Sequence, residues 1–210
     1  MKLLGKLVMR SPQKIAEFLE SEHVGRIATI DKNGYPQVIP MNFAFIGGFI
    51  YMHSHIRGEK LDNIRRNSMV GFEVDRELEF LPSYFTHPTD ASVADTLYVS
   101  VVIKGKAALV DDEVEKCLGL NGLMTKYQPE GGYEPLRPGD DVLDHTEVIR
   151  ITPEEIRGKY KVGQQMKAAA RTELAQKILD RRTPTATATL DAMGFRVDGD
   201  RAVMAHEPSW

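Results

Sequence analysis

Two glycine-bearing turns constrain this chain more than any other feature. Asp31-Lys32-Asn33-Gly34 separates residues 24–30 from 35–46, and Gly47-Gly48 separates 35–46 from 49–54. Asn-Gly accepts the positive φ that a tight hairpin needs, and Gly-Gly does so without steric cost. The flanking segments are rich in apolar and small residues. The pattern predicts three consecutive strands in an antiparallel meander. Pro36 and Pro40 remove two ladder donors from the middle strand, which puts it at an edge or beside a bulge.

The remaining elements follow from local signals. Ser11-Pro12 opens a helix to about residue 22, with Ile15, Phe18 and Leu19 on one face. Residues 58–67 form a short helix with Leu61 and Ile64 facing in, and 68–75 a fourth strand. Residues 76–95 read as a polar loop. Residues 96–110 are a long apolar strand in which Gly105, between Lys104 and Lys106, marks a bend or a close approach. Asp111-Asp112 caps a helix to about Tyr127 that carries the single cysteine, Cys117, beside Val114 and Leu118 as core. Residues 145–152 are a further strand, and Pro153-Glu154-Glu155 starts a helical turn. The order of elements predicts an α+β, mainly β protein. Residues 1–157 form one domain. Residues 158–210 form a C-terminal helical extension, with a helix at 164–182 and TPTATAT (183–189) as a linker or extended arm. Trp210 has no role beyond packing.

Totals narrow the function. The formal net charge of −3 over 210 residues argues against a general nucleic-acid coat. One cysteine excludes an intrachain disulfide and a cysteine-based zinc site, as in a reducing cytoplasm. The opening residues lack a signal-peptide pattern, and no apolar run is long enough for a membrane helix. There is no P-loop, no dinucleotide-binding glycine pattern, no nucleophile elbow and no H-E-x-x-H.

Chemistry therefore concentrates in one stretch. Between strand 49–54 and the next helix lie His53, Ser54, His55, Arg57, Gly58 and Lys60. Helix N-termini attract anions through open N–H groups and the helix dipole. Arg57 and Lys60 are three apart and share a face if both are helical. The turn reads either as a phosphate grip or as a solvated basic cap. His53 and His55 point the same way on a strand, but a metal site needs further ligands, and His23, His87 and His145 are all distant in sequence. Arg65-Arg66 reads as a solvated helix end.

Three blocks, HVGRIATIDKNGYPQVIPMNFAF, FIYMHSHIRGEKLDNIRRNSMVGFEV and LYVSVVIKGKAALVDDEVEK, resemble the pyridoxamine-phosphate-oxidase-like split barrels that bind FMN. Within them the chain is most similar to the nitroimidazole-resistance (Nim-like) branch, over about residues 12–155. The resemblance implies a six-stranded antiparallel split β-barrel that forms a homodimer, with FMN at the subunit interface. It implies that Val38, Ile39, Pro40, Met41 and Asn42 run along the flavin ring. His53, Ser54 and His55 lie beside the cofactor, with His53 tied to activity. Lys60 and Arg57 hold the phosphate. Tyr98, Ser100 and Val101 approach from the other barrel sheet.

The implied activity is that of a cytoplasmic FMN-dependent oxidoreductase reducing a small organic, nitro-aromatic-like acceptor with electrons from NAD(P)H. The absence of a triad or metal set agrees, because in such proteins the cofactor carries the chemistry. Two alternatives stay open. One is a non-catalytic flavin- or haem-binding module with His53, His55 or His87 as axial ligand. The other is the same barrel using deazaflavin F420. No nucleic-acid or membrane partner is expected.

Overall fold

A computed structural model describes residues 5–208; Trp210 lies outside them. In chain order the elements are β1 (Val8–Met9), α1 (Pro12–Ser21), β2 (Gly25–Ile30), β3 (Pro36–Met41), β4 (Ala44–Ile46), β5 (Phe49–His55), α2 (Glu59–Arg66), β6 (Met69–Leu81), β7 (Asp95–Leu109), α3 (Glu113–Tyr127), β8 (Thr146–Lys161), α4 (Ala168–Arg181), α5 (Ala186–Ala192), β9 (Phe195–Asp198) and β10 (Arg201–Met204). Eight strands form one sheet in the order β3-β2-β6-β7-β8-β5-β4, with β1 paired on β8, and β9 and β10 form a separate hairpin. The class is α+β and mainly β, as the sequence predicts. The main sheet has eight strands among the described residues rather than six.

Phe43 explains much of the difference. The predicted strand 35–46 breaks at Asn42-Phe43 into β3 and β4. The Tyr127 hydroxyl accepts the Phe43 N–H at 2.9 Å and gives its own proton to the His23 carbonyl at 2.5 Å, so the Phe43 N–H is not free for a ladder. The Phe43 ring is fully buried and packs edge-on against Phe72 at 5.2 Å. The meander is accordingly replaced by two hairpins, β2-β3 and β4-β5, at opposite ends of the strand order. β3 lies at the edge, where its two prolines cost no ladder bond.

The other strands outrun their predicted limits. β6 continues through Leu81 because Leu78, Glu79 and Leu81 are buried, so residues 76–81 are strand and not loop. β8 continues through Lys161, and Pro153-Glu154-Glu155 is extended rather than helical. Lys106–Glu154 at 3.3 Å and Lys104–Glu155 at 3.7 Å accompany it there. The close approach expected at Gly105 is present: a Cβ there would stand 2.3 Å from the Thr152 carbonyl oxygen.

The chain divides into two compact units. Residues 12–74 and 101–157 form the first. Ile27, Met52, Leu61, Val101, Ile103 and Ile149 fill its core. α3 closes a second cluster over Tyr51, Cys117, Leu120 and Val148. Cys117 is buried as expected, but Val114 and Leu118 of the same helix are exposed. The second unit comprises residues through Ser11, Asp75–Ser100 and residues from Gly158 onward. There TPTATAT is no linker. Thr183 and Thr185 donate to the buried Glu79 carboxylate at 2.7 and 2.6 Å, and Thr189, within α5, donates to the Leu78 carbonyl at 2.9 Å.

Candidate functional site

The site is built where β5 runs into α2. Along β5, Ile50, Met52 and Ser54 are buried and alternate with exposed His53 and His55, as strand periodicity requires. Gly58 is the N-cap of α2 at φ 152°, and a Cβ there would meet nothing within 4 Å. Its carbonyl takes the amides of Leu61 (3.0 Å) and Asp62 (3.3 Å). The amides of Glu59 and Lys60 are then the open donors of the first turn.

The charges divide unequally around this turn. Glu59 accepts from Gln37 Nε2 at 2.6 Å. Asp62 pairs with Arg65 at 3.2 Å, and Arg65 reaches Glu147 at 3.8 Å. The acids of the first helical turn are therefore engaged. Arg57 and Lys60 make no ion pair with any described residue. Arg57 precedes the N-cap, so the shared helical face expected for these two cations does not exist. They lie on either side of the Gly58 N-cap.

The histidines differ in their commitments. His55 Nδ1 accepts the Arg57 N–H at 3.2 Å. His87 Nδ1 accepts the amides of Thr89 (3.3 Å) and Asp90 (3.0 Å). With Nδ1 accepting, the neutral ring carries its proton on Nε2 and has no lone pair left for a metal. Only His53 of the three haem-ligand candidates keeps both nitrogens uncommitted among the described residues. No group of three or more His, Cys, Asp or Glu among them is placed to hold a metal ion. Tyr51, on the same strand face as His53, donates to Glu115 at 2.9 Å, and Arg150 reaches the same carboxylate at 2.8 Å. Burial, then the Glu115 carboxylate, pushes the Tyr51 phenol up to about 12, so it stays protonated.

The proposed ring strand lies on the same unit. Val38 is 59% exposed, Pro40 and Asn42 are exposed, and Ile39 and Met41 are half-buried. Ser54 is buried and donates to the His55 carbonyl at 3.0 Å. Val101 is fully buried, on the opposite strand face from Ser100, so its side chain cannot meet a ligand on the outer face. Tyr98 and Ser100 belong to the other compact unit, where Lys159 stands 4.9 Å over the Tyr98 ring.

What sequence reasoning missed is a polar cluster behind the turn. Asn63 donates through Nδ2 to Thr29 Oγ1 at 3.1 Å and to Gln37 Oε1 at 3.2 Å. Its Oδ1 accepts from Arg66 Nη2 at 2.7 Å, and Arg66 also donates to the Ile30 carbonyl at 2.8 Å. Arg66 is thus an anchoring group, while Arg65 is an exposed residue of the helix end, as expected. The one available signal was Asn63 lying between the inward Leu61 and Ile64.

The fold and turn define an antiparallel β protein whose last hairpin strand opens into a cation-bearing helix start. The chain belongs to the pyridoxamine 5'-phosphate oxidase family, whose profile matches residues 11–160. Solved structures agree in fold. A candidate 5-nitroimidazole antibiotic resistance protein of Bacteroides thetaiotaomicron is 22% identical, with a TM-score of 0.61, covering 73% of this chain and 86% of its own. The flavocytochrome Anf3 of Azotobacter vinelandii is 21% identical, with a TM-score of 0.65, covering 77% and 72%. A FAD and heme binding protein of Mycobacterium smegmatis is 13% identical, with a TM-score of 0.60, covering 72% and 71%. No curated protein matches the chain.

Proposed function

We propose that this protein is a homodimeric split-barrel flavoprotein that binds FMN and reduces a small organic acceptor with electrons from NAD(P)H. The observation that carries the reading is the charge balance of the β5–α2 turn. Arg57 and Lys60 are left without acids among the described residues, while Glu59 and Asp62 are committed elsewhere. Two such cations and two open amides suit a phosphate dianion. Family membership supports a flavin, as do structural neighbours named for flavin or FAD.

In this reading Lys60 and Arg57 hold the phosphate, and the strand from Val38 to Asn42 lies along the ring. His53, with an uncommitted ring, delivers or takes a proton through an imidazole nitrogen at the acceptor. Ser54, with its hydroxyl turned inward, and His55, with Nδ1 occupied, shape the wall. Tyr98 and Ser100 come from the partner copy, and Val101 contributes backbone only. Bound FMN supplies the hydride chemistry.

The outer sheet face supports the second copy. Val38, Met69 and Val102 are 59%, 63% and 37% exposed. Ala28, paired with both Val38 and Gly71, leaves a low surface between them. Exposed apolar side chains on one sheet face suit burial against a second copy.

The test is the absorption spectrum of the purified protein and the mass of its heat-released ligand. Flavin bands and an FMN mass are expected, with a dimer by light scattering. An F420 mass, or a Soret band without flavin, would replace FMN. A colourless protein that also refuses added FMN would overturn the reading.

A further inference from the structure

The geometry points to Asn63 as a positioning residue that makes the site select a phosphate-bearing flavin over the same ring without phosphate. The inference rests on the FMN reading above. Asn63 is 1% exposed, so it touches no ligand itself. It acts through Gln37 and Glu59.

The hydrogen bonds run in one direction. Arg66 donates to Asn63 Oδ1 (2.7 Å), Asn63 Nδ2 donates to Gln37 Oε1 (3.2 Å), and Gln37 Nε2 donates to Glu59 Oε2 (2.6 Å). The chain starts on a guanidinium and ends on a carboxylate, so each bond polarises the next. The second Asn63 donor goes to Thr29 Oγ1 at 3.1 Å, and Arg66 fixes the orientation, because a flip would set the Asn63 amide NH2 against a guanidinium that can only donate. A flipped Asn63 would face its oxygen to Gln37, whose own oxygen would then turn toward Glu59.

The last two members of this relay stand at the two halves of the proposed site. Gln37 immediately precedes Val38, the start of the ring strand. Glu59 immediately precedes Lys60 and lies two residues from Arg57. The relay therefore fixes the spacing between ring strand and phosphate turn, and it holds the Glu59 carboxylate on Gln37 rather than on Lys60. A ligand that binds at two points gains from the second only when the spacing is right. Riboflavin uses one point and should not sense the relay. FMN uses both.

The decisive variant is Asn63→Asp, which keeps size and the Arg66 contact but removes the donor. Gln37 must then turn its amide to the new carboxylate and its oxygen to Glu59, freeing the Glu59 carboxylate beside Lys60. Gln37→Leu breaks the relay from its half-buried middle and leaves the Asn63–Thr29 contact in place. Dissociation constants for FMN and for riboflavin would be measured by quenching of flavin fluorescence in the full-length protein, with Lys60→Glu as reference. The expected result is tighter binding of FMN than of riboflavin by the wild type. Both relay variants should cut that preference tenfold or more while riboflavin affinity stays unchanged. An unchanged preference in both variants, or equal loss of both ligands, would overturn the role of Asn63. A wild type that shows no preference for FMN, or keeps it in Lys60→Glu, would instead overturn the phosphate reading, and the inference with it.

Discussion

Asn63 in the first compact unit and Glu79 in the second are both buried on secondary structure and both fasten a helix to a strand, yet they do so with different electrostatics. Glu79 is 4% exposed and receives Arg181 at 3.0 Å, Thr183 at 2.7 Å and Thr185 at 2.6 Å. A buried carboxylate is tolerated only when paired and saturated with donors, and three donors from one short stretch achieve that. Asn63 is neutral, so its burial costs less, but its bonds carry direction that a charge does not. The contrast separates two uses of a buried polar group. The charged anchor holds α4 and α5 to β6, whereas the neutral one, in the proposed reading, sets how strand β3 and the β5–α2 turn face each other.

The largest expected effect breaks the charged anchor. Glu79→Ala leaves Arg181 and two threonine hydroxyls without their acceptor and should cost about 3–5 kcal/mol of stability, read from urea unfolding. The preference for FMN over riboflavin should not change. Glu79→Gln keeps acceptor capacity and should cost less. If Glu79→Ala altered ligand preference and left stability intact, the division of labour between the two clusters would be wrong.

Lys60→Glu tests the opposite corner. The side chain has no ion-pair partner among the described residues, so folding stability should move by about 0.5 kcal/mol or less. FMN binding should weaken by about 1.5–3 kcal/mol, the worth of a hydrogen bond to a charged group. Thermal melting and FMN titration of the same sample measure both. A large stability loss with unchanged affinity would make Lys60 an anchor like Glu79 rather than a ligand.

The same contrast explains what was legible in the sequence. Turns announce themselves locally: Asn33-Gly34 and Gly47-Gly48 adopt φ values of 89°, 59° and 88° at their glycines, and each closes the hairpin expected of it. The cation cluster from His53 to Lys60 was legible for the same reason, since its members are neighbours in the chain. Contacts across the sequence were not. The hydroxyl of Tyr127 breaks a strand 84 residues away, and Glu79 orders threonines 104 and 106 residues away, so strand 35–46 read as continuous and TPTATAT as a linker. The inward side chain of Val101 was legible too. The alternation of Leu97, Val99, Val101 and Ile103 already puts it inward, which leaves its backbone for any role on the outer face.

A third buried polar group, a cation, sharpens the comparison through pH. Lys126 is 9% exposed, donates to the Leu19 carbonyl at 2.8 Å and stands 3.7 Å over the Phe43 ring. It ties α3 to the end of α1 without a carboxylate at its ammonium. Burial lowers its pKa from 10.5 to about 8, against a smaller opposing pull from Glu20 and Glu22. Above that value the folded chain sheds a proton that the unfolded chain keeps until its ordinary lysine range, so stability from this residue rises with pH. The gain should be on the order of 1 kcal/mol between pH 7 and 9. Tyr51 has the opposite sign. Its folded pKa of about 12 lies above the ordinary 10, so its contribution is complete below pH 10 and is lost as pH rises toward 12, by a similar amount. Urea midpoints should therefore climb from pH 7 to about 10, while the lysine gain outweighs the tyrosine loss, and fall as pH rises on toward 12. Lys126→Met should flatten the climb, because no proton is released, and Tyr51→Phe should flatten the fall. If the climb persists in Lys126→Met, the buried ammonium is not its source. The α1–α3 contact would then be an anchor indifferent to charge, and the distinction drawn between Glu79 and Asn63 would not extend to cations.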